Sequence, residues 1–316
     1  MKITVLDRGA MGFDLSFSAL ESLGDVIIYD KTSPFEVIER IKDSEVVILN
    51  KVKITGEVMK SAPGLKLICV FATGYDNIDI HTAKERGIAV CNVPAYSTDS
   101  VALFTLSNVL YLYTHLNTYR NYVASGEYTR SGKANCLEPV YHEMRGMVWG
   151  IVGFGNIGRA VAKVAEALGA KIIVNKRTPV EEYECVDIDT ICKESDIITV
   201  HCPLNEETRG LINEKRLSLM KKSVILVNEA RGAVIDEQAV AAAVLDGRIG
   251  AFGSDVFSVE PFDEKHPFTA ISGLENVCLT PHAAWGAYEA RARCLNVIVD
   301  NIIAFNSGKI KNRVDI

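Results

Sequence analysis

The sequence predicts an α/β protein built from two doubly wound parallel sheets. Short apolar runs of strand length alternate with helical patterns along most of the chain, and this alternation is typical of parallel strands joined by helices. The runs fall into two series. The length of 316 residues also suggests two domains, at a prior of roughly 150 residues each.

The first series precedes residue 100 and contains five strand candidates. A helical pattern at Phe35–Ile41 lies between the second and third of them. The series therefore predicts a parallel sheet with helices on its faces. The candidates are Ile3–Leu6, Val26–Tyr29, Val46–Leu49, Leu67–Val70 and Ile88–Cys91.

The second series contains six strand candidates and predicts a second parallel sheet. A long apolar segment from Ser100 to about Tyr122 precedes it and follows three residues suited to a helix N-cap, Ser97-Thr98-Asp99; it is predicted to be the connecting helix. A final helix is predicted from Tyr288 to about Phe305. The strand candidates are Val148–Val152, Lys171–Val174, Ile197–Val200, Val224–Val227, Ile249–Gly253 and Val277–Leu279.

Composition narrows the class of protein. Hydrophobic residues make up 48% of the chain and the net charge is −6, without a run of Lys or Arg, which argues against nucleic acid or an anionic membrane as partner. No apolar run reaches the roughly 18 residues of a membrane span, and no signal peptide is expected. The eight cysteines are scattered without a Cys-x-x-Cys pair. Reduced thiols in a cytoplasmic protein are therefore expected, rather than disulfides or a zinc site.

A glycine turn follows the first strand of the second series. In Gly153-x-Gly155-x-x-Gly158 the first glycine permits a tight turn, the second lets the backbone approach a diphosphate, and the third allows close helix–strand packing. The diphosphate of a dinucleotide then lies at the positive end of the next helix. The apolar face predicted for that helix is Ile157, Val161, Val164 and Leu168.

Three residues that suit hydride transfer to a 2-oxo acid follow in order. Arg231, Glu260 and His282 each come after an apolar strand candidate, where loops lie over the carboxyl edge of a doubly wound sheet. The arginine can hold a substrate carboxylate through two parallel hydrogen bonds, and the histidine can move the accompanying proton. The glutamate can orient the histidine and favour its charged form. These three are the predicted catalytic residues, and no metal is expected.

Six groups of short motifs follow one another along nearly the whole chain. They are Ala72-Thr73-Gly74 with Asn77-Ile78-Asp79, the glycine turn, His201-Cys202-Pro203-Leu204, Asn228 to Gly232, Asp255-Val256 with Glu260-Pro261, and Thr280-Pro281-His282. In this order they resemble the D-isomer-specific 2-hydroxyacid dehydrogenase family. The segment His282-Ala283-Ala284-Trp285, with Glu289-Ala290-Arg291 after it, is most similar to the glycerate dehydrogenase and hydroxypyruvate reductase branch.

The resemblance implies two Rossmann-like domains with a cleft between them. Residues 1–99 and 288–316 would form a discontinuous substrate-binding domain, and residues 100–287 the dinucleotide-binding domain. The implied reaction is reversible hydride transfer between a nicotinamide and C2 of a small 2-oxo or 2-hydroxy acid, with hydroxypyruvate or glyoxylate favoured. The resemblance also implies a homodimer, with the helix from Ser100 as its expected contact.

Binding residues are predicted partly from the residues themselves and partly from the resemblance. For the substrate they are Lys51, Thr73, Gly74 and Arg231. From the residues alone, Thr73-Gly74 could be an ordinary turn, Lys51 could be solvated and Asp255 could be a cap. The expected cofactor-binding residues are Gly153, Gly155, Asn156, Ile157, Gly158, Asn175, Lys176, Arg177, Cys202, Pro203, Thr208, Ala230 and Asp255.

The second strand of the cofactor domain predicts NADP(H) over NAD(H). NAD-selective sites carry an acidic residue about 20 positions after the glycine turn, whereas this strand ends in Asn175-Lys176-Arg177-Thr178. The two cations can attract a 2′-phosphate, and Asn175 or Thr178 can hydrogen-bond it. NAD(H) is the alternative, with the two cations merely solvated.

Two positions depart from the family pattern. Leu103-Phe104 stands where a polar pair is common and suggests a more apolar substrate, and Glu229 either adds negative charge near the anion site or points away from it. Two rival interpretations are a dinucleotide-sensing regulatory protein without turnover and a dehydrogenase for phosphorylated serine precursors. The latter is weakened by the lack of a C-terminal regulatory domain.

Overall fold

The structure is a computed structural model that describes all 316 residues. The chain forms two compact units: unit 1 comprises residues 1–97 and 286–316, and unit 2 comprises residues 98–285. No helix has both the length and the hydropathy needed to cross a membrane.

Unit 1 is a five-stranded parallel sheet covered by helices. The strands are β1 (Lys2–Val5), β2 (Asp25–Ile28), β3 (Val46–Leu49), β4 (Leu67–Val70) and β5 (Ala89–Cys91), in the spatial order β2-β1-β3-β4-β5. The strand order reverses between β1 and β3, so loops at their carboxyl ends can form a ligand site. The helices are α1 (Ser18–Glu21), α2 (Val37–Ile41), α3 (Gly56–Lys60), α4 (Ile80–Glu85) and the last helix of the chain, Tyr288–Asn306.

Unit 2 is a seven-stranded parallel sheet. Its strands are β6 (Val148–Val152), β7 (Lys171–Asn175), β8 (Glu184–Cys185), β9 (Ile197–Val200), β10 (Ile225–Asn228), β11 (Ala251–Ser254) and β12 (Val277–Leu279), in the order β12-β11-β10-β9-β6-β7-β8. The order reverses between β6 and β9. The helices are α5 (Thr98–Tyr113), α6 (Leu116–Ala124), α7 (Glu127–Ser131), α8 (Asn156–Ala167), α9 (Ile188–Glu194), α10 (Glu214–Leu217) and α11 (Glu237–Leu245), so the last helix of the chain is α12.

All eleven predicted strands are confirmed within two residues at either end. They could be recognised because β3, β4, β9, β10 and β11 are buried along their whole length and so read as continuous apolar runs. The two-residue strand β8 was not predicted. It is too short to show a pattern.

Two helix predictions need correction. The single helix expected from Ser100 to about Tyr122 is two helices, since His115 adopts a left-handed conformation with φ of 52° and separates α5 from α6. The expected apolar face of α8 is also wrong, because Val164 and Leu168 are exposed. The buried face of α8 instead contains Gly158, Val161, Ala162 and Ala165, whose small side chains let the helix lie close to its neighbours.

Each face of the unit 2 sheet has its own hydrophobic core. On one face α5 and α8 bury residues such as Leu106, Val109 and Val161, and on the other α9 to α11 bury Ile191, Leu217 and Val240. Burial of this apolar surface, at roughly 25 cal/mol per Å², is what holds the strand ends and their loops in fixed positions.

Candidate active site

The glycine turn after β6 has the geometry of a diphosphate cradle. Gly153 has φ of +91°, and a Cβ there would lie 2.4 Å from the backbone N of Cys202. A Cβ at Gly158 would lie 2.5 Å from the carbonyl O of Gly153, whereas a Cβ at Gly155 would meet nothing within 4 Å. The first and third glycines are therefore required by packing, and the second leaves open space above the start of α8.

Asn156 and Ile157 form the first turn of α8, where backbone N–H groups have no partner within the helix. Asn156 is exposed, while Ile157 is half-buried against the core. The first turn therefore offers the diphosphate backbone donors and the positive end of the helix dipole.

The loop after β9 passes directly against the glycine turn. Both ring nitrogens of His201 are shielded from solvent and lack a hydrogen-bond partner, and burial lowers the pKa of His201 to about 3, so the imidazole is uncharged. Burial raises the pKa of Cys202 to about 11, which keeps it a thiol. The Thr208 hydroxyl donates to the carbonyl of Pro203 at 2.6 Å and closes the loop.

The end of β7 carries the predicted cofactor-selecting residues. The side chain of Asn175 donates to the carbonyl of Val186 at 2.9 Å and so helps to hold β8. Arg177 is exposed, with Nη1 3.9 Å from a carboxylate oxygen of Glu207, and Lys176 is half-buried. Two cations therefore stand at this strand end.

Arg231 lies in a turn shaped by its neighbours. Asn228 accepts a hydrogen bond from the backbone N of Ala230 at 3.1 Å and donates to the carbonyl of Arg231 at 3.0 Å. Arg231 Nη1 donates to the carbonyl of Ala230 at 2.8 Å. Ala230 is buried, so it contributes backbone to the edge of the sheet.

Glu260 and His282 form a pair. Glu260 Oε2 lies 2.7 Å from Nδ1 of His282, and Glu260 Oε1 accepts the backbone N–H of Phe257 at 3.1 Å. Because an ionised carboxylate can only accept, Nδ1 carries a proton and Nε2 is the nitrogen that exchanges one. The two side chains are 25% and 22% exposed, so this pair can reach a substrate.

Asp255 holds the loop that carries His282. Its carboxylate accepts from Oγ1 of Thr280 at 2.7 Å and from the backbone N of Ala283 and of Ala284, each at 2.8 Å. His282 has φ of 54°, a left-handed conformation that is uncommon for a residue with a side chain. The three bonds to Asp255 over-determine this segment and keep the imidazole in place.

Glu229 points into unit 2, toward Asn108 on α5. It is buried, and its Oε1 accepts from the side-chain amide of Asn108 on α5 at 2.7 Å, while Oε2 is buried without a partner. Burial and the neighbouring Asp255 raise the pKa of Glu229 to about 8. Near neutral pH it is therefore largely an uncharged acid and adds little negative charge to the site.

The predicted substrate-binding residues Lys51, Thr73 and Gly74 lie in unit 1, whereas Leu103 and Phe104 lie in unit 2. Oγ1 of Thr73 donates to the carbonyl of Val93 at 2.8 Å, so this hydroxyl also shapes its own loop. Gly74 follows it. Lys51 is exposed, and its backbone N donates to Asp7 at 2.6 Å. Leu103 on α5 is exposed and Phe104 is half-buried.

The sequence is similar to that of known dehydrogenases. Residues 106–284 match the family model of the D-isomer specific 2-hydroxyacid dehydrogenase, NAD binding domain. A hydroxypyruvate reductase of Blautia hydrogenotrophica is 37% identical over 324 residues, covering 100% of both proteins.

Two solved structures share the fold over the whole chain. A D-lactate dehydrogenase from Aquifex aeolicus, complexed with NAD and lactic acid, has a TM-score of 0.87 and 30% identity over 100% of this chain and 99% of that one. An acyclic imino acid reductase, complexed with NADPH and D-Arg, has a TM-score of 0.86 and 31% identity over 99% of this chain and 100% of that one.

This chain belongs to the D-isomer specific 2-hydroxyacid dehydrogenase family. It is an oxidoreductase that acts on the CH–OH group of a 2-hydroxy acid and uses a nicotinamide cofactor. The open space at Gly155 and the N-terminus of α8 fit the diphosphate of such a cofactor. When bound, the nicotinamide supplies or accepts the hydride.

Sequence reasoning missed one charged residue beside the family's glycine turn. Arg159 follows Gly158 on α8, pairs with Glu182, and its guanidinium lies 4.7 Å from the ring centre of Phe154. Its position one residue after the third glycine was the available signal. It adds a third cation near the ends of β6 and β7.

Proposed function

We propose that this dehydrogenase reduces a small 2-oxo acid to the corresponding 2-hydroxy acid: hydroxypyruvate to D-glycerate, or glyoxylate to the achiral glycolate. The observation that carries the proposal is the Glu260–His282 pair, 2.7 Å apart at the carboxyl edge of the unit 2 sheet. The similarity to a hydroxypyruvate reductase supports the choice of substrate. The alternative, a dinucleotide sensor without turnover, has no comparable support.

Each residue has a role in this proposal. His282 gives its Nε2 proton to the carbonyl oxygen during reduction and takes it back during oxidation. Glu260 holds the imidazole ring and favours its protonated form. Arg231 binds the substrate carboxylate and polarises the carbonyl, because its planar fork can donate two parallel hydrogen bonds. The loop at Thr73 and Gly74 offers further donors for the carboxylate, and Lys51 adds positive charge.

A panel of 2-oxo acids tests the function directly. Purified enzyme is mixed with each acid and with NADPH or NADH, and cofactor oxidation is followed by absorbance. We expect the highest kcat/KM with hydroxypyruvate or glyoxylate. A preference for bulky aliphatic acids would instead point to the apolar Leu103 and Phe104, and no turnover with any acid would favour the sensor.

The cofactor preference is part of the proposal: we infer NADP(H). Lys176 and Arg177 at the end of β7 can attract a 2′-phosphate, since the strand end Asn175-Lys176-Arg177-Thr178 itself carries no acidic residue. The double variant Lys176→Asp with Arg177→Ala should lower kcat/KM for NADPH at least about tenfold more than for NADH, because each charge-assisted bond to phosphate is worth about 1.5–3 kcal/mol.

Lys171→Ala is a matched control for that experiment. Lys171 is an exposed, ion-paired cation at the other end of the same strand, so its removal should not change the ratio of the two cofactors. Wild-type enzyme that prefers NADH would show that Lys176 and Arg177 do not select the cofactor.

A homodimer and a cytoplasmic location complete the proposal. Besides Leu103 and Leu110 on α5, exposed apolar side chains cluster in and after α6 and α7, which makes the segment from α5 onward the candidate contact; sedimentation equilibrium tests it. All eight cysteines are free thiols, the state that a reducing compartment maintains. The apolar residues are Leu116, Val123, Tyr128, Leu137, Val140 and Tyr141.

A further inference from the structure

The segment that carries Glu260 is fastened at both ends to one buried carboxylate. We call residues 257–266, which follow β11, the Glu260 loop. Near its start, the backbone N of Ser258 donates to Oε1 of Glu237 at 2.8 Å, and the hydroxyl of Ser258 donates to Oε2. At its end, Nε2 of His266 lies 3.1 Å from the same Oε2. Glu237, the first residue of α11, thus ties the two ends of the loop together.

The orientation of His266 is determined by its surroundings. The backbone N–H of Phe268 donates to Nδ1 at 3.2 Å, so Nε2 carries the hydrogen and donates it to Glu237. The ring stacks on Phe262 with centroids 4.7 Å apart, and Phe262 meets Phe257 edge-on at 4.7 Å. The side chains of His266 and Glu237 are only 7% and 9% exposed.

The start of the Glu260 loop also packs against the turn that carries Arg231. A Cβ on Gly232 would lie 2.0 Å from the backbone C of Phe257 and the backbone N of Ser258. The two backbones are therefore in direct contact, and Ser258 cannot move without disturbing the residue next to Arg231. By holding Ser258, Glu237 therefore restrains both the Glu260 loop and the turn of Arg231.

The helix itself does not need Glu237 to be buried. The first-turn cap of α11 is the side chain of Asp236, which accepts from the backbone N of Ala239 at 3.0 Å. A glutamate in the first turn interacts favourably with the helix dipole even when exposed, whereas burying a carboxylate is costly unless it is hydrogen-bonded. The side chain of Glu237 hydrogen-bonds to Ser258 and His266, both in the Glu260 loop. The burial of Glu237 is therefore explained by its hydrogen bonds to the Glu260 loop and not by a need of the helix.

We propose that Glu237, through Ser258 and His266, is a positioning residue that fixes Glu260 against His282. The inference rests on the proposed role of the Glu260–His282 pair. A loosened loop would let the Glu260 carboxylate drift from the 2.7 Å separation, and the imidazole would lose the negative charge that favours its protonated form.

The test measures kcat for reduction against pH in Glu260→Gln, Glu237→Gln and His266→Asn. The asparagine keeps an acceptor for the Phe268 N–H, since Asn is a good cap, but cannot reach Glu237. We expect the high-pH limb of the rate to move to lower pH in Glu260→Gln, because the histidine loses its carboxylate partner. The other two variants should move it in the same direction by less and lower kcat about threefold to tenfold, because small misplacements of catalytic groups are expensive.

Asp236→Ala is the matched control. It removes the neighbouring cap of α11 and should destabilise the protein by about 1 kcal/mol, yet it leaves the fastening of the loop intact and should not move the limb. If Glu237→Gln and His266→Asn lose stability like the control while their pH profiles stay at the wild-type position, the positioning role is wrong.

Glu260→Gln distinguishes a failure of the catalytic pair from a failure of the positioning role of Glu237. An unmoved limb in Glu260→Gln would overturn the catalytic pair and this inference together. A moved limb in Glu260→Gln with none in the other two variants would leave the proposed function standing and overturn only the role of Glu237.

Discussion

The two units start from the same parallel-strand arrangement, but their first strands lead into different turns. In unit 1, β1 is followed by a short 3-10 turn, Arg8–Met11, and the next helix, α1, has only four residues. In unit 2, β6 is followed by the glycine turn and the twelve-residue α8. A diphosphate needs the exposed N-terminus of a helix. The difference therefore explains why only unit 2 offers a dinucleotide cradle at its first turn.

Both sheet edges use a buried aspartate to hold a loop. Asp7 accepts from the backbone N of Asn50 at 2.8 Å, of Lys51 at 2.6 Å and of Val52 at 3.3 Å, much as Asp255 accepts three donors around His282. Burial raises the pKa of both aspartates. The loop in unit 1 presents a lysine, whereas the loop in unit 2 presents a histidine that can exchange a proton. If the proposed roles are right, the same anchoring places a positive charge in one unit and an acid–base group in the other.

The largest expected effect comes from removing the presented side chain in each unit. His282→Ala should lower kcat about 10²–10⁴-fold, the range for acid–base catalysis, with the NADPH dissociation constant nearly unchanged. Lys51→Ala should mainly raise KM for the 2-oxo acid. Steady-state kinetics with equilibrium cofactor binding separates these outcomes. A kcat loss in Lys51→Ala as large as that in His282→Ala would show that the lysine takes part in the chemical step and not only in binding.

A second expected effect is a pH-dependent loss of stability that arises at the sheet edge of unit 2. In unit 2, Glu229 lies beside Asp255, and its pKa is raised to about 8. The native state therefore binds more protons than the unfolded state between the ordinary glutamate pKa and about 8, so the free energy of unfolding falls as pH rises through this window. At about 1.4 kcal/mol per pKa unit, a shift from 4.5 to about 8 corresponds to roughly 5 kcal/mol, and we expect about half of that, roughly 2–3 kcal/mol, because the protein relaxes around a buried charge.

Glu229→Gln should remove that loss, since the amide keeps the shape of the neutral acid without titrating. Urea unfolding at pH 5, 6.5 and 8 measures it. Glu206→Gln, which changes an exposed carboxylate of the same unit, should leave the pH dependence of wild type. If the free energy of unfolding of Glu229→Gln still falls by about 2 kcal/mol or more between pH 5 and pH 8, which is the fall of ~2–3 kcal/mol expected for wild type, the titrating group is not Glu229.

The sequence predicted most of this architecture because buried parallel strands are apolar throughout and because loops after such strands share one edge. It could not predict which way Glu229 points, since one residue past a strand end the alternation of faces no longer applies. Nor does any motif in the sequence single out His266. The fastening by Glu237 depends on contacts between residues 21 and 29 positions apart, which no local pattern reveals. The break between α5 and α6 depends on the left-handed backbone of His115, a conformation more often supplied by glycine.

The smallest predicted effect tests the two first turns directly. A Cβ at Gly155 meets nothing within 4 Å and the residue has φ of −91°, so Gly155→Ala should change stability by no more than about 0.5 kcal/mol. The methyl group occupies the space through which backbone approaches a diphosphate. We expect NADPH binding to weaken about tenfold, or about 1.4 kcal/mol. In unit 1, a Cβ at Gly9 would lie 2.8 Å from the carbonyl of Asp30, so Gly9→Ala should destabilise unit 1 and leave NADPH affinity unchanged. Titration of NADPH fluorescence and thermal unfolding of both variants give the two readouts. The opposite pattern, with weaker NADPH binding only in Gly9→Ala, would show that the dinucleotide cradle lies in unit 1 and not in unit 2.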